Sequence, residues 1–218
     1  MIELNCVSKG YKLKGVRKQI LDKASIRIPR DQNIAILGRN GAGKSTLMRV
    51  IAGVELPDSG QVIRSSKVSW PLGFKGGFNS TMTGVENIKF VSRLYGHDSR
   101  AVIDYVADFS ELGKSLKLPV KTYSNGMKAR LAFGLSMAID FDTYLIDEIT
   151  AVGDQSFKRK SKAVFDEKLS GRQIIMISHS MQTIRKYCSA GLFLEGGKLY
   201  YYDNIEEIIR DYKLMLAQ

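Results

Sequence analysis

At 218 residues, 44% hydrophobic and 25% charged, the chain has the make-up of an ordinary globular protein with a sizeable core. Its formal charge of +11, from 33 Lys and Arg against 22 Asp and Glu, suits nucleic acid, anionic lipid or an anionic substrate and singles out none of them. No apolar run approaches the ~18–20 residues that span a bilayer, and "MIELNCVSKG" lacks the basic and apolar regions of a signal peptide.

In chain order, "IELNCV" (2–7) and "ASIRIP" (24–29) read as strands. Between them "YKLKGVRK" (11–18) is the densest basic patch and reads as a solvated loop. "NIAILG" (33–38) is a buried strand ending at glycine, and "KSTLMRVIAG" (44–53) has helical spacing. "GQVIRSSKVSW" (60–70) reads as further strand. From 84 to 139 the pattern is mainly helical, and Thr83 with Glu86 makes a capping box at its start. "DTYLIDE" (142–148) and "RQIIMISH" (172–179) are apolar runs of strand length, with a helix at 155–169 between them. "LFLEGGKLYYY" (192–202) is a hairpin turning at Gly196-Gly197, and Asn204 caps a closing helix over 204–216. Strands alternating with helices, several of them continuously apolar, predict a mostly parallel α/β sheet covered on both faces, interrupted by a helical insert. Cys6 and Cys188 have no metal-ligand spacing, so reduced thiols in a cytoplasmic protein are expected.

"GRNGAGKST" (38–46) fits G-x-x-x-x-G-K-[ST] and stands between a buried strand and a helix. Gly38, Gly41 and Gly43, with Asn40 and Ala42 between them, let backbone N–H groups turn inward around phosphate oxygens, and the helix start adds partial positive charge. Lys44 is expected to reach the β- and γ-phosphates, the Ser45 hydroxyl to sit on Mg2+, and Thr46 to contact the α-phosphate side. In "YLIDE" (144–148) an apolar strand delivers Asp147 to its C-terminal end, where it is expected to bind Mg2+ through water. Glu148 follows and is expected to orient or deprotonate the attacking water. In "TYSNGMKARLAFGLSMA" (122–138) a Ser and a Gly sit at a helix start that can bind an anion. An ordinary N-capped helix reads the same way.

These motifs, with "ISH" at 177–179, stand in the order found in ATP-binding cassette (ABC) ATPases, and the resemblance covers nearly the whole chain. It implies one ABC ATPase domain over 1–218: an α/β P-loop NTPase with a RecA-like core, an N-terminal antiparallel β subdomain and a helical subdomain inserted at roughly 79–139. The family's Leu-Ser-Gly-Gly-Gln signature here reads Tyr123-Ser124-Asn125-Gly126-Met127, matching at Ser124 and Gly126 only. "AVGD" (151–154) takes the place of the D-loop, with Asp154 at its end. His179 falls on the histidine that senses the γ-phosphate, and Tyr11 on the aromatic that stacks on adenine. His97, in "LYGHDS", reads as a surface loop residue. The resemblance implies head-to-tail homodimers in which Ser124 and Gly126 cap ATP on the partner, with Lys44, Glu148 and His179 as the catalytic set.

"SWPLGFKGGF" (69–78), "TGVENIKF" (83–90), "TYSNGMKARLAFGLSMA" and "YLIDEITAVGD" (144–154) are similar to ATP-binding subunits of capsular polysaccharide exporters. Related O-antigen exporters often carry a carbohydrate-binding domain after the ATPase; a chain ending at Gln218 fits the capsule type. The expected partners are an integral-membrane permease docking near Trp70–Asn79 and no nucleic acid, with the protein peripheral on the cytoplasmic face of the bacterial inner membrane. The alternatives are an O-antigen or teichoic-acid exporter subunit, an importer ATPase, or a soluble ABC ATPase of nucleic acid or ribosomes. The family's Q-loop glutamine has no counterpart between Gln61 and Gln155; Ser69 and Asn79 are the polar candidates to replace it. Trp70 and Pro71 are expected to end a strand, and "GFKGGF" to form a mobile loop at the permease groove. The alternative for Trp70 is packing beneath the helical subdomain.

Overall fold

The computed structural model describes residues 1–13, 15–72, 77–148 and 155–216. They divide into two compact units: Met1–Pro71, Phe141–Ile149 and Gly171–Gln218 form the first, Leu72–Asp140 and Thr150–Ser170 the second.

In the first unit, β1 (Ile2–Leu13) and β2 (Val16–Ile28) form a long antiparallel hairpin. Its strands run well past the 2–7 and 24–29 of the sequence reading. The basic run is its tip: Tyr11 pairs with Lys18 and Lys12 with Arg17, so cross-strand hydrogen bonding orders what composition alone reads as loop. The second sheet begins with β3 (Ile34–Leu37), all four residues buried, followed by α1 (Lys44–Ala52). The stretch read as one strand at 60–70 is two. Of these, β4 (Ser59–Arg64) pairs with β1, and β5 (Val68–Leu72) joins the second sheet. The break has its own bonds: the Ser65 N–H donates to the Met1 carbonyl and the Lys67 N–H to Asp142 Oδ2 (2.8 Å). Pro71 does not end its strand, which continues to Leu72. At the sheet edge the missing N–H breaks no ladder.

The second sheet is completed by β6 (Thr143–Asp147), β7 (Gln173–Ile177), β8 (Ala190–Glu195) and β9 (Lys198–Tyr202), in the order β5-β6-β7-β3-β8-β9. The four strands β6, β7, β3 and β8 run parallel, and β9 returns antiparallel through Gly196-Gly197. Ile34, Ile36, Leu145, Ile175 and Leu192 join Leu47, Met48 and Ile51 of α1 in one core, each almost wholly buried. Polar side chains tie the N-terminal strand ends: Thr143 Oγ1 donates to Gln173 Oε1 (2.9 Å), and Asn33 Oδ1 accepts from the Ile174 N–H (2.8 Å). The opposite, C-terminal edge is left for chemistry. Ser180 caps α6 (Met181–Tyr187), and Asn204 Oδ1 accepts from the Glu206 N–H at the start of α7 (Ile205–Leu216). Cys6 and Cys188 are free thiols; burial pushes the Cys188 thiol up to about 12, so it stays protonated.

In the second unit, the capping box is present at α2 (Gly84–Leu94), with Thr83 and Glu86 each bonding the other's backbone N–H (3.1 and 2.8 Å). Asp98 caps α3 (Ser99–Ser110). Two 3-10 turns, Gly113–Lys117 and Val120–Thr122, lead into α4 (Asn125–Ala138). Phe109 is the hinge of the core, ring against Phe133 and against Phe157 of α5 (Gln155–Leu169) at 5.6 and 5.4 Å. His97 lies between α2 and α3, as the loop reading expects, but is half-buried, with its N–H on the Ser92 carbonyl.

Candidate functional site

The loop 38–43 leaves β3 at the C-terminal edge of the parallel sheet and feeds α1. Two glycines are demanded by contacts. At Gly38 (φ 153°) a Cβ would strike the Leu194 carbonyl oxygen, and at Gly43 (φ 105°) it would strike the Ile20 side chain. The loop closes on itself through Ala42 N–H to Arg39 O (3.1 Å), with Asn40 and Gly41 exposed. Lys44 donates to the carbonyls of Gly38 (2.8 Å) and Arg39 (3.1 Å), so its ammonium is held across the loop. Burial lowers its pKa, against the opposing pull of Asp147 and Glu148.

Adjacent strands bring the rest. Asp147 ends β6, and Glu148 follows in the left-handed region (φ 52°), its N–H on the Ile177 carbonyl (3.0 Å). A non-glycine residue in that conformation carries strain of order 1 kcal/mol, which turns the carboxylate off the strand line. His179, just past β7, places Nε2 2.8 Å from Glu148 Oε1, and both side chains are about half exposed. With its proton on Nε2, the imidazole donates to that carboxylate. Lys44, Ser45, Thr46, Asp147, Glu148 and His179 all line one cavity of about 420 Å3, together with Tyr11, Asn40, Gly41 and Gly43.

Four residues were missed by sequence reasoning, two in the cavity lining and two behind Tyr11. Lys18 and Ile20 project from alternate positions of β2 into the same lining. Arg49 and Glu55 form a clamp on Tyr11: its hydroxyl donates to Glu55 Oε1 (2.5 Å) and accepts from Arg49 Nη2 (3.3 Å). Arg49 Nη2 also reaches Thr46 Oγ1 (3.1 Å), so one guanidinium ties Tyr11 to the first turn of α1. Burial works against the Glu55 charge, but hydrogen bonds from Tyr11, Arg49 and Lys9 hold its carboxyl below the ordinary range. The signal available was period-two alternation through 18–20, hidden by the basic composition of the run.

The turn 123–127 lies in the second unit. Ser124 caps α4, its Oγ accepting from the Met127 N–H (3.2 Å), and Ser124, Asn125 and Gly126 are exposed. Tyr123 is buried, 4% exposed, and donates to the Ser115 carbonyl (2.6 Å). The ring thus anchors the turn from below. Asp154 and the rest of the expected D-loop lie outside the described residues, as do 73–76 of "GFKGGF".

Neither polar candidate for the missing glutamine is free. Ser69 is fully buried; its Oγ accepts from the Leu145 N–H (2.9 Å) and donates to the Trp70 carbonyl (2.7 Å), filling a place in the sheet. Asn79 Oδ1 accepts from the Thr81 N–H and hydroxyl (3.0 and 2.7 Å), while its backbone is held by Asn87. Trp70 is half-buried, edge-on to Phe141 with centroids 5.2 Å apart.

A strand, a glycine loop closed by Lys44 and a helix form a cradle, with an acidic pair and a histidine delivered by the next two strands. The profile of the ABC transporter family matches residues 21–151, which contain the cradle and the acidic pair. The chain belongs to the ABC transporter family. As an ABC protein it is 48% identical over 216 residues to the polysialic acid transport ATP-binding protein KpsT of Escherichia coli, covering 98% of this chain and 99% of that one. It is 45% identical over 212 residues to the capsule polysaccharide export ATP-binding protein CtrD of Neisseria meningitidis, covering 97% and 98%. A teichoic acids export ATP-binding protein, TagH of Bacillus cereus, is 34% identical over 209 residues, 94% of this chain but 38% of the relative. Among solved structures, a dimeric ATP-binding cassette in a post-hydrolysis state bound to ADP and Pi superposes with a TM-score of 0.72 at 18% identity, covering 94% of this chain and 99% of that one. The fold is therefore that of an ABC ATPase cassette. Among the described residues no helix is long and apolar enough to cross a membrane.

Proposed function

We propose that this ABC protein hydrolyses ATP to power export of a capsular polysaccharide, acting as a homodimer beneath a separate membrane permease. The observation that carries the reading is the convergence of Lys44, Ser45, Asp147, Glu148 and His179 in one cavity at the ends of three neighbouring strands. The names of the relatives covered almost end to end support the capsule. The teichoic-acid reading is weaker on identity and on the share of the relative matched.

In this reading the N–H groups around Gly41 and Gly43 hold the phosphates, Lys44 leaves its carbonyls for the β- and γ-phosphate oxygens, and Tyr11 stacks on adenine. Ser45 and Asp147 form a hydroxyl-and-carboxylate pair suited to a hard cation. Among the described residues no cluster of three His, Cys, Asp or Glu would hold a metal alone, which fits an ion shared with phosphate. When bound, Mg2+ neutralises charge on the phosphate oxygens. Glu148, already turned off its strand, orients the attacking water; His179 holds that carboxylate and faces the γ-phosphate. Ser124 and Gly126 present the start of α4 to nucleotide on the partner subunit, and Asp154 is assigned to the same interface. The cassette is one ABC domain with a helical insert, peripheral on the cytoplasmic face of the membrane. The permease docks near Trp70–Asn79, where Trp70 is half-exposed.

The test is Glu148→Gln in the subunit co-purified with its permease. ATP binding is expected to stay within a few-fold of wild type while turnover falls about 100-fold or more. Wild-type turnover would remove Glu148 from this role. Loss of surface capsule in cells carrying the variant, with intracellular polymer retained, checks the export half.

A further inference from the structure

The basic hairpin tip is the one sequence feature that the ATPase reading does not absorb. Lys18 stands directly opposite Tyr11 in the β1–β2 register, so the two side chains share a face of the hairpin. That face is turned to the cavity, since both residues line it. Two residues further along β2, on the same face, Ile20 packs onto Gly43. The strand therefore lies across the phosphate loop with its period of two matching the loop's own step from Gly41 to Gly43. Lys18 falls over Gly41: its Nζ is 3.6 Å from where a Cβ on Gly41 would sit, and nothing else comes within 4 Å. Among the described residues no carboxylate or carbonyl pairs with this ammonium.

We propose that Lys18 is a second phosphate-binding cation of the nucleotide site, set beside Tyr11 so that one hairpin addresses base and polyphosphate together. This rests on the ATP-binding reading of the cavity. Lys44 meets the phosphates from the helix side of the loop and is tied down by two carbonyls. Lys18 meets them from the hairpin side, over an exposed part of the loop, on a flexible stem with three donors. An ammonium in that place favours ligands with two or more phosphates and adds little for a monophosphate, whose charge is smaller. Its side chain is exposed, so removing its charge leaves the hairpin core of Ile20 and Leu21 intact.

The experiment is calorimetric titration of full-length protein with ATP, AMP and inorganic triphosphate at two salt concentrations, for wild type, Lys18→Met, Lys18→Arg and Lys44→Ala. Lys18→Met keeps the apolar stem and is expected to weaken ATP and triphosphate binding about tenfold, leave AMP within twofold, and flatten the salt dependence. Lys18→Arg is expected to recover most of the loss. Equal loss for ATP and AMP would overturn the proposal, because the lysine would then act through the Tyr11 ring; so would no loss for any ligand. If wild type and Lys44→Ala bind ATP alike, the ATP site itself is wrong and the proposal falls with it. If only Lys18→Met is silent, the site stands and Lys18 does not belong to it.

Discussion

Two glycine-bearing turns face opposite demands. In the loop 38–46, Gly38 and Gly43 are crowded by their own chain, against the Leu194 carbonyl and the Ile20 side chain. In the turn 123–127, a Cβ on Gly126 would meet only Ser124 Oγ, at 3.8 Å, which is ordinary contact. The first pair is required by folding whatever the loop binds. Among the described residues nothing crowds the second, and under the proposed function a bare backbone there serves what approaches the start of α4 from outside. In the proposed dimer that is nucleotide held by the other subunit.

Substitution at the two glycines separates these demands. Gly43→Ala forces a methyl against Ile20 in a left-handed backbone and is expected to cost about 2–4 kcal/mol, read as a fall in the urea midpoint, with ATP binding lost alongside. Gly126→Ala is expected to leave stability unchanged or raise it by up to ~1 kcal/mol, as alanine does within a helix, while ATP turnover of the assembled transporter falls about tenfold or more. Unfolding of Gly126→Ala, or full turnover in it, breaks the comparison. Tyr123→Phe tests the support beneath the same turn. Losing the bond to the Ser115 carbonyl is expected to cost about 1 kcal/mol of unfolding free energy, with ATP binding to the isolated subunit unchanged.

The smallest effect sharpens the cradle side. Glu55 has its folded pKa depressed, so its stabilising contribution is complete above the ordinary value of 4.5 and is lost as pH falls through the depressed folded value. The difference in melting temperature between wild type and Glu55→Gln is therefore expected to hold steady at neutral pH and to shrink as acid protonates the carboxyl. A gap that widens in acid would show that Glu55 is not the charged member of the Tyr11 clamp.

Elements with a strong local signal were legible. The buried strands, the capping box at Thr83 and the Gly196-Gly197 hairpin each follow from residues close in the chain, because period and turn chemistry act over a few positions. Errors came where pairing over distance overrides composition. The basic run forms hairpin arms because its backbone finds a partner strand. The stretch 60–70 splits because Met1 and Asp142 bond its middle. Ser69 offered itself as a replacement polar group in the sequence, yet its hydroxyl belongs to a neighbouring strand 76 residues away.

Motif spacing alone specifies the glycine loop, the acidic pair and their sequence along the chain, since backbone geometry after a buried strand leaves the glycines, Lys44 and Ser45 few arrangements. Which partners those groups meet was decided in three dimensions. That His179 reaches Glu148, that Arg49 and Glu55 hold Tyr11, and that Lys18 overhangs Gly41 all depend on strands distant in sequence lying side by side. Side-chain contacts of that kind follow sheet order and register, which only the packed core sets.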